Sequence, residues 1–298
     1  MSTPLISVVI PSVSGADSLL ECLAALHRQD SPVAAELIVV DRLGAELRRA
    51  VRERHPAVRV LEAEPRTSIP RLRALGVESA RAPLVAFIED HCIVDEAWLR
   101  VIARTHAEGH PVFGGVVENA AVERAVDWAA FFCEYSRFLA PLDRGETAEI
   151  TGNNSVYARE LLEQALADAG GELWESFLHA RLRARGVPLF CEPELRVAHK
   201  KNFGFGYFVA QRYHYSRSFS AMRVRGWPAW RRFGYAAATT MLPALLLLRI
   251  GRDVIGKRSR RRELPRALPP LVAFLIVWAW GEAVGALAGA GRSLELVE

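Results

Sequence analysis

The sequence predicts an α/β domain with a largely parallel sheet, followed by helical segments that are apolar enough to meet a membrane. Residues 5–115 alternate short apolar runs with segments of helical spacing, which is the pattern of βαβ units. The near-continuous apolar run at 84–88 is typical of a buried parallel strand, and it leads directly into two acids and a histidine. Open α/β sheets bind ligands at such strand ends. Two long apolar segments, 233–250 and 271–290, lie near the end of the chain.

The individual elements follow from local patterns. The first apolar run stops at Pro11, and the next segment has Leu19, Leu23 and Leu26 at helical spacing, with Asp17 near the expected N-cap. Because the later apolar runs are also separated by helical segments, we expect parallel strands with right-handed crossovers. The predicted strands are 6–11, 36–41, 58–61, 84–88 and 112–117, with a further strand-like run at 195–198. The predicted helices are 17–28, 45–55, 69–79, 96–107, 123–139, 158–169 and 174–185.

The amino-acid composition narrows the classes of protein to which this chain can belong. The 298 residues suffice for one large domain, or for a domain with an appendage. The four cysteines form no CxxC pair, which argues against a zinc ribbon and a disulfide framework and favours reduced thiols in a cytosolic setting. The first residues lack the pattern of a signal peptide. No GxGxxG follows the first strand, so a dinucleotide-binding domain lacks its fingerprint.

The net charge of +4 conceals a strong asymmetry along the chain. Residues 1–195 carry 20 basic and 29 acidic side chains, whereas residues 196–232 carry nine basic and no acidic ones. Residues 249–266 carry eight basic and two acidic side chains. Because this basic excess brackets apolar segments, it is typical of a surface that faces anionic lipid. Nucleic-acid binding is the alternative, and the adjacent apolar stretches disfavour it.

The two apolar segments predict a membrane region. At 1.5 Å per residue, segment 271–290 reaches roughly 30 Å, the thickness of a hydrocarbon core. Segment 233–250 is shorter and contains Pro243. Tryptophans and arginines flank both segments, as interfacial anchors do. A buried helical hairpin is the alternative interpretation.

Two rules of membrane topology give opposite predictions for this region. With residues 1–230 in the cytoplasm, a simple two-span hairpin places the basic loop 249–266 outside, although basic loops stay inside. We therefore expect that 271–290 spans the membrane and that 233–250 lies in the interface or is re-entrant. The expected location is the inner (cytoplasmic) membrane, with residues 1–230 facing the cytoplasm.

Seven motifs occur in a fixed order along residues 5–225. They are Ser7-Val8-Val9-Ile10-Pro11, Leu37-Ile38-Val39-Val40-Asp41, Arg73-Ala74-Leu75-Gly76, Glu89-Asp90-His91, Thr151-Gly152-Asn153-Asn154, Glu175 before Arg181-Leu182 and Gly186, and His199. Together they resemble the family 2 glycosyltransferases of GT-A fold. The resemblance implies a GT-A domain at 1–230, which is a nucleotide-diphospho-sugar transferase fold with a Rossmann-like mixed sheet. Residues 231–298 then form a membrane-associated helical region.

The resemblance implies a set of donor-binding residues: Pro11, Asp41, Arg73, Glu89 and Asp90. The strand ending at Pro11 would form the nucleotide pocket, Asp41 would contact the base, and Arg73 would lie near the diphosphate. The alternative for Arg73 is a solvated helix arginine. Two departures from the family pattern leave the identity of the nucleotide base open. Arg42 replaces a second acid, and Ser12-Val13-Ser14 replaces the usual aromatic residue.

The motif Glu89-Asp90-His91 stands where the family has its DxD motif, so the resemblance implies a bound divalent cation. Its first acid would reach the ribose, and the implied metal ligands are Asp90, His91 and His199. Neutral imidazole suits Mn²⁺ better than Mg²⁺, which prefers oxygen ligands. The cation is expected to stabilise the negative charge that accumulates on the leaving diphosphate. A structural histidine is the alternative for His199.

The family also implies a general base. Aligning Arg181-Leu182 with the family pattern puts Glu175 at this position, with Trp174 in place of the preceding acid and Glu172 as a fallback. An inverting transfer needs one carboxylate to deprotonate the acceptor hydroxyl. The alternative for Glu175 is an acid that only stabilises a helix N-terminus. Asn153 and Asn154 would approach the sugar and the acceptor, although an Asx turn explains Asn153 equally well.

These features imply an inverting, metal-dependent glycosyltransferase that moves a sugar from a nucleotide-diphosphate donor to a lipid-linked or envelope acceptor. His214-Tyr215 replaces the Arg-Trp pair of processive members, which favours a non-processive enzyme and leaves Arg212 and Arg217 as candidate phosphate contacts. The expected partners are the donor, the acceptor and the membrane, without nucleic acid. Two alternatives remain open: a degenerate nucleotide-sugar-binding scaffold without turnover, which Arg42, His91 and Trp174 suggest, and a nucleotidyltransferase.

Overall fold

A computed structural model describes residues 3–169, 173–258 and 260–297. The strands are β1 Ile6–Ser12, β2 Ala35–Asp41, β3 Arg59–Glu62, β4 Leu84–Ile88, β5 Cys92–Val94, β6 Val112–Asn119, β7 Gly145–Thr147, β8 Asn154–Ala158 and β9 Leu189–His199. The helices are α1 Ala16–His27, α2 Ala45–Arg54, α3 Ile69–Ser79, α4 Trp98–Ala107, α5 Ala125–Tyr135, α6 Arg159–Ala169, α7 Glu175–Ala184, α8 Phe205–Arg223, α9 Ala229–Ala238, α10 Leu242–Lys257 and α11 Leu264–Ala288. Short 3₁₀ helices occupy Ser136–Phe138, Thr239–Met241 and Ser293–Leu296.

The strands form one mixed sheet, which confirms the predicted fold class. Their order is β3-β2-β1-β4-β8-β6-β9-β5, with β7 paired to β9. Strands β1 to β4 pair in parallel, as the alternation of strands and helices predicts. Strand β8 is antiparallel to β4 and β6, and β9 is antiparallel to β5 and β7. Every residue of β1 and β4 is buried, so the functional end of the sheet rests on a closed apolar core.

The chain divides into two compact units. The first consists of Met1–Glu118 and Ala140–Lys200 and contains the sheet; the second consists of Asn119–Leu139 and Lys201–Glu298 and is helical. This division follows packing, and the functional boundary at residue 230 stays a prediction.

Two helical stretches of the second unit, Ala229–Lys257 and Leu264–Ala288, are long and apolar enough to cross a membrane by length and composition. Pro243 lies in the first turn of α10, where a proline does not interrupt the helical hydrogen bonds. Large apolar side chains on these helices are exposed, among them Trp230, Phe233, Leu248 and Trp280.

Close contacts join α8 to α11 within the helical unit. A Cβ atom at Gly281 would lie 2.0 Å from the Ser216 hydroxyl, and one at Gly285 would lie 2.2 Å from the Arg217 carbonyl oxygen. Only glycine permits so close an approach of two helix backbones. We refer to this contact of Gly281 and Gly285 with α8 as the glycine seam.

Basic residues at the end of α10, in the turn after it and at the start of α11 also pack within the helical unit. Arg266 donates to the carbonyl of Val122 at 2.8 Å, and the Lys257 ammonium donates to the carbonyl of Ser136 at 3.2 Å. The guanidinium of Arg260 lies 5.7 Å from the centre of the Trp128 ring. The basic turn between α10 and α11 is therefore held against residues 122–136.

Candidate functional site

The predicted motif Glu89-Asp90-His91 lies where the chain leaves β4 and turns into β5. The turn is closed by the amide of Cys92, which donates to the Glu89 carbonyl at 3.0 Å. Strand β5 pairs with β9 in a register that places Cys92 opposite His199. The antiparallel end of the sheet thus carries His199 to the motif, as the sequence predicted without knowing the pairing.

Three ligand-type atoms converge at this point. His91 Nε2 lies 2.9 Å from His199 Nε2 and 3.2 Å from Glu89 Oε2. His199 Nε2 lies 3.8 Å from the same carboxylate oxygen. One atom from each of the three residues falls within a 4.8 Å group, and two imidazoles with one carboxylate suit first-row divalent cations. The residues present therefore fit a metal, with Glu89 beside the two histidines.

Asp90, which the sequence analysis assigned to the metal, points elsewhere. Its Oδ2 accepts hydrogen bonds from the amides of Val13 and Ser14, at 2.7 and 2.6 Å. Its Oδ1 lies 2.9 Å from Nδ1 of His91. A carboxylate in this position fixes the tautomer of a metal-binding histidine and directs the other ring nitrogen at the ligand site. The geometry makes Asp90 a support for His91.

Burial and charge act against each other on these groups. Burial raises the pKa of Glu89, but the hydrogen bond to His91 and the charges of His91, His199 and Arg73 outweigh it and hold this pKa far below its usual value. The pKa of Asp90 is also lowered, because His91 and two amides outweigh its burial. Burial lowers the pKa of His91, and its two carboxylate partners raise it above the ordinary value. Both acids are therefore ionised at neutral pH.

The candidate base Glu175 is the first residue of α7, and its side chain is 28% exposed. Its Oε2 accepts a hydrogen bond of 2.8 Å from Nη1 of the buried Arg73. Nη2 of Arg73 donates to the Gly152 carbonyl at 3.2 Å and lies 3.9 Å from Glu89 Oε1. Arg73 thus connects the candidate base to the candidate metal ligands. The fallback acid, Glu172, lies outside the described residues.

The two predicted sugar-contacting asparagines differ in their surroundings. Asn153 lies beside the site, because its Nδ2 is 3.4 Å from Glu89 Oε2. Asn154 begins β8, where its amide donates to the carbonyls of Val116 and Leu195 and its oxygen accepts from the Trp98 indole. The side chain of Asn154 therefore ties strands of the sheet together, and we leave it out of the site.

Asp41 ends β2 beside a cleft of about 450 Å³. The loops after β2 and β3 and helix α3 line the cleft, with Arg42, Arg48, Thr67 and Arg71 among its residues. The carboxylate of Asp41 accepts from the amides of Leu43 and Gly44 and from Arg48. Asp41 therefore shapes the loop at the rim of the cleft. Pro11 pairs with Val40 in the adjacent strand and lies at the same end of the sheet.

The two candidate phosphate-binding arginines lie in the helical unit. Arg212 is buried, lies 3.2 Å from Glu134, and packs on the rings of Tyr215 and Trp278. Arg217 donates to the carbonyl of Gly289. Both side chains hold helices together, which their sequence motif did not predict.

Sequence reasoning missed the placement of Glu89 with the two histidines, the contact of Asp90 with His91 and the contact of Gly152 with Arg73. One signal was available: residues 89 and 91 are separated by one position, a spacing at which side chains can share a side of the backbone. The other two contacts depend on loops that are distant in sequence, so no local pattern indicates them.

Comparisons with known proteins agree with this arrangement. The family model described as "Glycosyl transferase family 2" matches residues 7–166. The match includes Asp41, Arg73, Glu89 and Asn153, and it ends before Glu175 and His199. A search of curated protein sequences gave no significant match.

A solved structure shares the fold. The mannosyltransferase PcManGT from Pyrobaculum calidifontis, in complex with GDP-Man and Mn²⁺, is 19% identical, with a TM-score of 0.56 over 94% of this chain and 87% of that one. At that identity the likeness supports the GT-A fold alone. The family match covers more than half of the chain, the sheet has the GT-A arrangement, and the chain therefore belongs to glycosyl transferase family 2.

Proposed function

We propose that this chain is an inverting, metal-dependent glycosyltransferase that transfers a sugar from a nucleotide-diphosphate donor to a lipid-linked or envelope acceptor. One observation carries the proposal: a metal-type cluster and a candidate base meet at one end of the sheet, with Arg73 between them. The family supplies the class of reaction, and the nature of the donor and acceptor is inferred from the site and the helical unit.

The donor nucleotide is expected in the cleft beside Asp41 and Pro11. The cleft lies where parallel strands end, which is the usual ligand position in α/β sheets. Arg42 occupies the position of the family's second acid, and its Nη1 donates to the Thr67 carbonyl at 2.9 Å. Its guanidinium therefore forms part of the cleft wall, and we expect it to restrict which base is accepted.

Glu89, His91 and His199 would hold the divalent cation, which would neutralise charge on the leaving diphosphate. The related structure contains Mn²⁺, and a donor set with two imidazoles favours Mn²⁺ over Mg²⁺. Asp90 keeps the Nδ1 of His91 engaged, so that Nε2 faces the site.

Glu175 would act as the general base. Its carboxylate takes the proton of the acceptor hydroxyl while the acceptor oxygen bonds to the anomeric carbon. The bond from that carbon to the diphosphate oxygen breaks, and the nucleoside diphosphate leaves with the electron pair. Attack from the opposite side inverts the anomeric configuration. Asn153, beside Glu89, is placed to hydrogen-bond a sugar hydroxyl.

The helical unit supports a lipid-linked acceptor and a location at the cytoplasmic face of the inner membrane. Its two long helices expose apolar side chains such as Leu248 and Trp280, and the segment before them is strongly basic. Apolar side chains beside basic ones suit an anionic lipid surface.

The test is release of nucleoside diphosphate from a panel of sugar donors, with Mn²⁺ and a membrane lipid extract as acceptor. We expect turnover with at least one donor and a loss of about 10²–10⁴-fold in Glu175→Gln, because the variant keeps the shape and removes the base. Glu163→Gln, an exposed acid paired with Arg159 on α6, is the matched control and should retain activity.

Other outcomes separate the alternatives. An unchanged rate in Glu175→Gln would remove Glu175 from its role. Donor binding without turnover would favour the scaffold, and release of pyrophosphate from a nucleoside triphosphate and a sugar phosphate would indicate a nucleotidyltransferase.

A further inference from the structure

Arg73 is surrounded by partners from four parts of the chain. Its side chain is 6% exposed and lies in the middle of α3. Nη1 donates to Glu175, Nη2 donates to the Gly152 carbonyl, and Nη2 also approaches Glu89. The centre of the Phe87 ring lies 5.8 Å from its Cζ. The sequence resemblance instead places this arginine near the donor diphosphate.

The charges around Arg73 argue against the binding of a further anion to its guanidinium. Burial lowers the pKa of Arg73, but Glu175 and Glu89 raise it above the usual value. The guanidinium thus already has two carboxylates to balance its charge. Separating one partner from a buried ion pair is strongly unfavourable, because the other charge stays buried without compensation. A diphosphate that bound Arg73 would compete with Glu175 for the charge of the guanidinium.

We propose that Arg73 is a positioning residue for Glu175 and does not bind the donor diphosphate; this inference rests on the proposed function. Arg73 holds Oε2 of Glu175, which leaves Oε1 to accept the proton of the acceptor hydroxyl. The guanidinium therefore decides which carboxylate oxygen takes part in the reaction and where that oxygen lies.

Gly152 supplies the space for this arrangement. A Cβ atom there would lie 2.2 Å from Oε1 of Glu175 and 3.1 Å from Nη2 of Arg73. Both atoms are the far ends of flexible side chains, so an alanine would displace the carboxylate without a backbone clash. Gly152→Ala therefore moves the base while keeping both charges.

The experiment uses the full chain and the donor that the wild type turns over. The variants are Arg73→Met, Arg73→Lys and Gly152→Ala, each also combined with Glu175→Gln. Gly206→Ala is the matched control, because a Cβ there meets nothing within 4 Å. The readouts are kcat for nucleoside diphosphate release and the affinity for UDP and GDP with Mn²⁺, measured by calorimetry.

We expect kcat to fall about 10²-fold in Arg73→Met and Gly152→Ala, the usual effect of a base misplaced by about 1 Å. Nucleotide affinity should stay at the wild-type value. Arg73→Lys should recover part of the rate, because an ammonium can pair with Glu175 but lacks the second arm that reaches Gly152. In the Glu175→Gln background, Arg73→Met should cause no further loss, because it acts through Glu175.

Weaker nucleotide binding in Arg73→Met with kcat retained would overturn the inference and restore the diphosphate role. An additive loss in the double variant would also overturn it. If Arg73→Met does not fold, the rate of Gly152→Ala decides. A wild type without turnover on any donor would overturn the proposed function together with this inference.

Discussion

The pairing of Asp90 with His91 shows how one carboxylate can serve a site that it does not enter. Asp90 is fully buried and accepts two amides of the loop after β1, so its position is fixed before any ligand arrives. Through Oδ1 it orients the imidazole of His91. An acid that receives this many hydrogen bonds is a poor candidate for direct metal binding and a good one for holding a ligand in place.

Asp90→Asn should weaken Mn²⁺ binding by about 10- to 100-fold, the usual effect of losing an outer carboxylate partner. The side-chain amide of the asparagine would also face the backbone amides of Val13 and Ser14. Because all of these groups are hydrogen-bond donors, the hydrogen bonds to these amides would be lost. Calorimetry of Mn²⁺ binding to the full chain measures the effect. Asp168→Asn, an exposed acid on α6 that pairs with Arg185, is the control.

Unchanged Mn²⁺ affinity in Asp90→Asn would show that Mn²⁺ binding does not depend on the orientation of His91 by Asp90. A loss in Asp168→Asn of equal size would show that the effect reflects general stability.

At the scale of single residues, the sequence predicted which side chains lie close together more accurately than it predicted the role of each side chain. The order of motifs indicated that His91 and His199 share a site with Glu89, and they do. The direction of Asp90 depends on the turn that Cys92 closes, and the side chain of Asn154 depends on its pairing in β8. Such directions are set by distant contacts, so residue type and spacing do not determine them.

Among the helices and strands, α7 contributes two features. It carries Glu175 at its first residue, and it packs against the sheet through His179. His179 is buried, and its Nε2 lies 2.7 Å from the hydroxyl of Tyr157 in β8. Burial lowers the pKa of His179 to about 4, against the opposing charges of Glu175 and Glu149. The helix that carries the proposed base therefore packs on a neutral histidine.

This histidine makes the stability of the fold depend on pH. Its pKa is lower in the folded chain than in the unfolded one, so the unfolded state binds the extra proton and stability falls as pH drops below the unfolded value. The loss begins near pH 6.5 and is complete near pH 4, with a total of about 3 kcal/mol. At pH 5 the expected loss is about 2 kcal/mol.

His179→Gln should remove that component, so the free energy of unfolding should fall less between pH 7.5 and pH 5 than in the wild type. Urea titrations at the two pH values measure the difference. His106→Gln on α4 is the control, because it removes an imidazole from a different helix. Identical pH dependence in His179→Gln and wild type would contradict the assignment.

The predicted helix 69–79 and the predicted strand 84–88 agree residue for residue with α3 and β4. Helix α3 begins after Ser68, whose side chain caps the amide of Arg71, and strand β4 is one uninterrupted apolar run. Strands β5 and β7, of three residues each, and β8 were not predicted. Short antiparallel strands carry little pattern of their own, because their pairing partners determine them.

For the whole molecule, the packing of the basic turn revises the expected membrane topology. The turn between α10 and α11 contacts residues 122–136, so both lie on the same side of any bilayer. Only residues 120–124 join β6 to α5, and five extended residues reach at most about 18 Å. That reach is too short to cross a hydrocarbon core of about 30 Å. We therefore expect that the two helices do not form a two-span hairpin that exports the basic turn.

The C-terminal residues add a second constraint. Gln211 donates to the carbonyl of Leu296, and Ser293 lies 3.1 Å from His214, so the end of the chain packs on α8. Helix α8 carries Arg212, His214 and Arg217, a composition unsuited to crossing a bilayer alone. We therefore now expect the helical unit to lie in one face of the membrane, in place of a single span at 271–290.

A reporter that is active only in the cytoplasm, fused after the last residue, should be active, and one that is active only outside should be silent. The same reporters at the N-terminus provide the control. An external C-terminus would restore the single span. Charge asymmetry and apolar segments predicted a membrane region from sequence, whereas the side on which each end lies depends on contacts between helices.

The glycine seam limits how far into a bilayer this protein can reach. Before Gly281, helix α11 is only about 25 Å long at 1.5 Å per residue, and its remaining turns are bound to the polar helix α8. A stretch of that length falls short of a full hydrocarbon core of about 30 Å. Under the proposed function, we therefore expect the acceptor lipid to be met at the near face of the membrane, and its passage to the opposite side to require another protein.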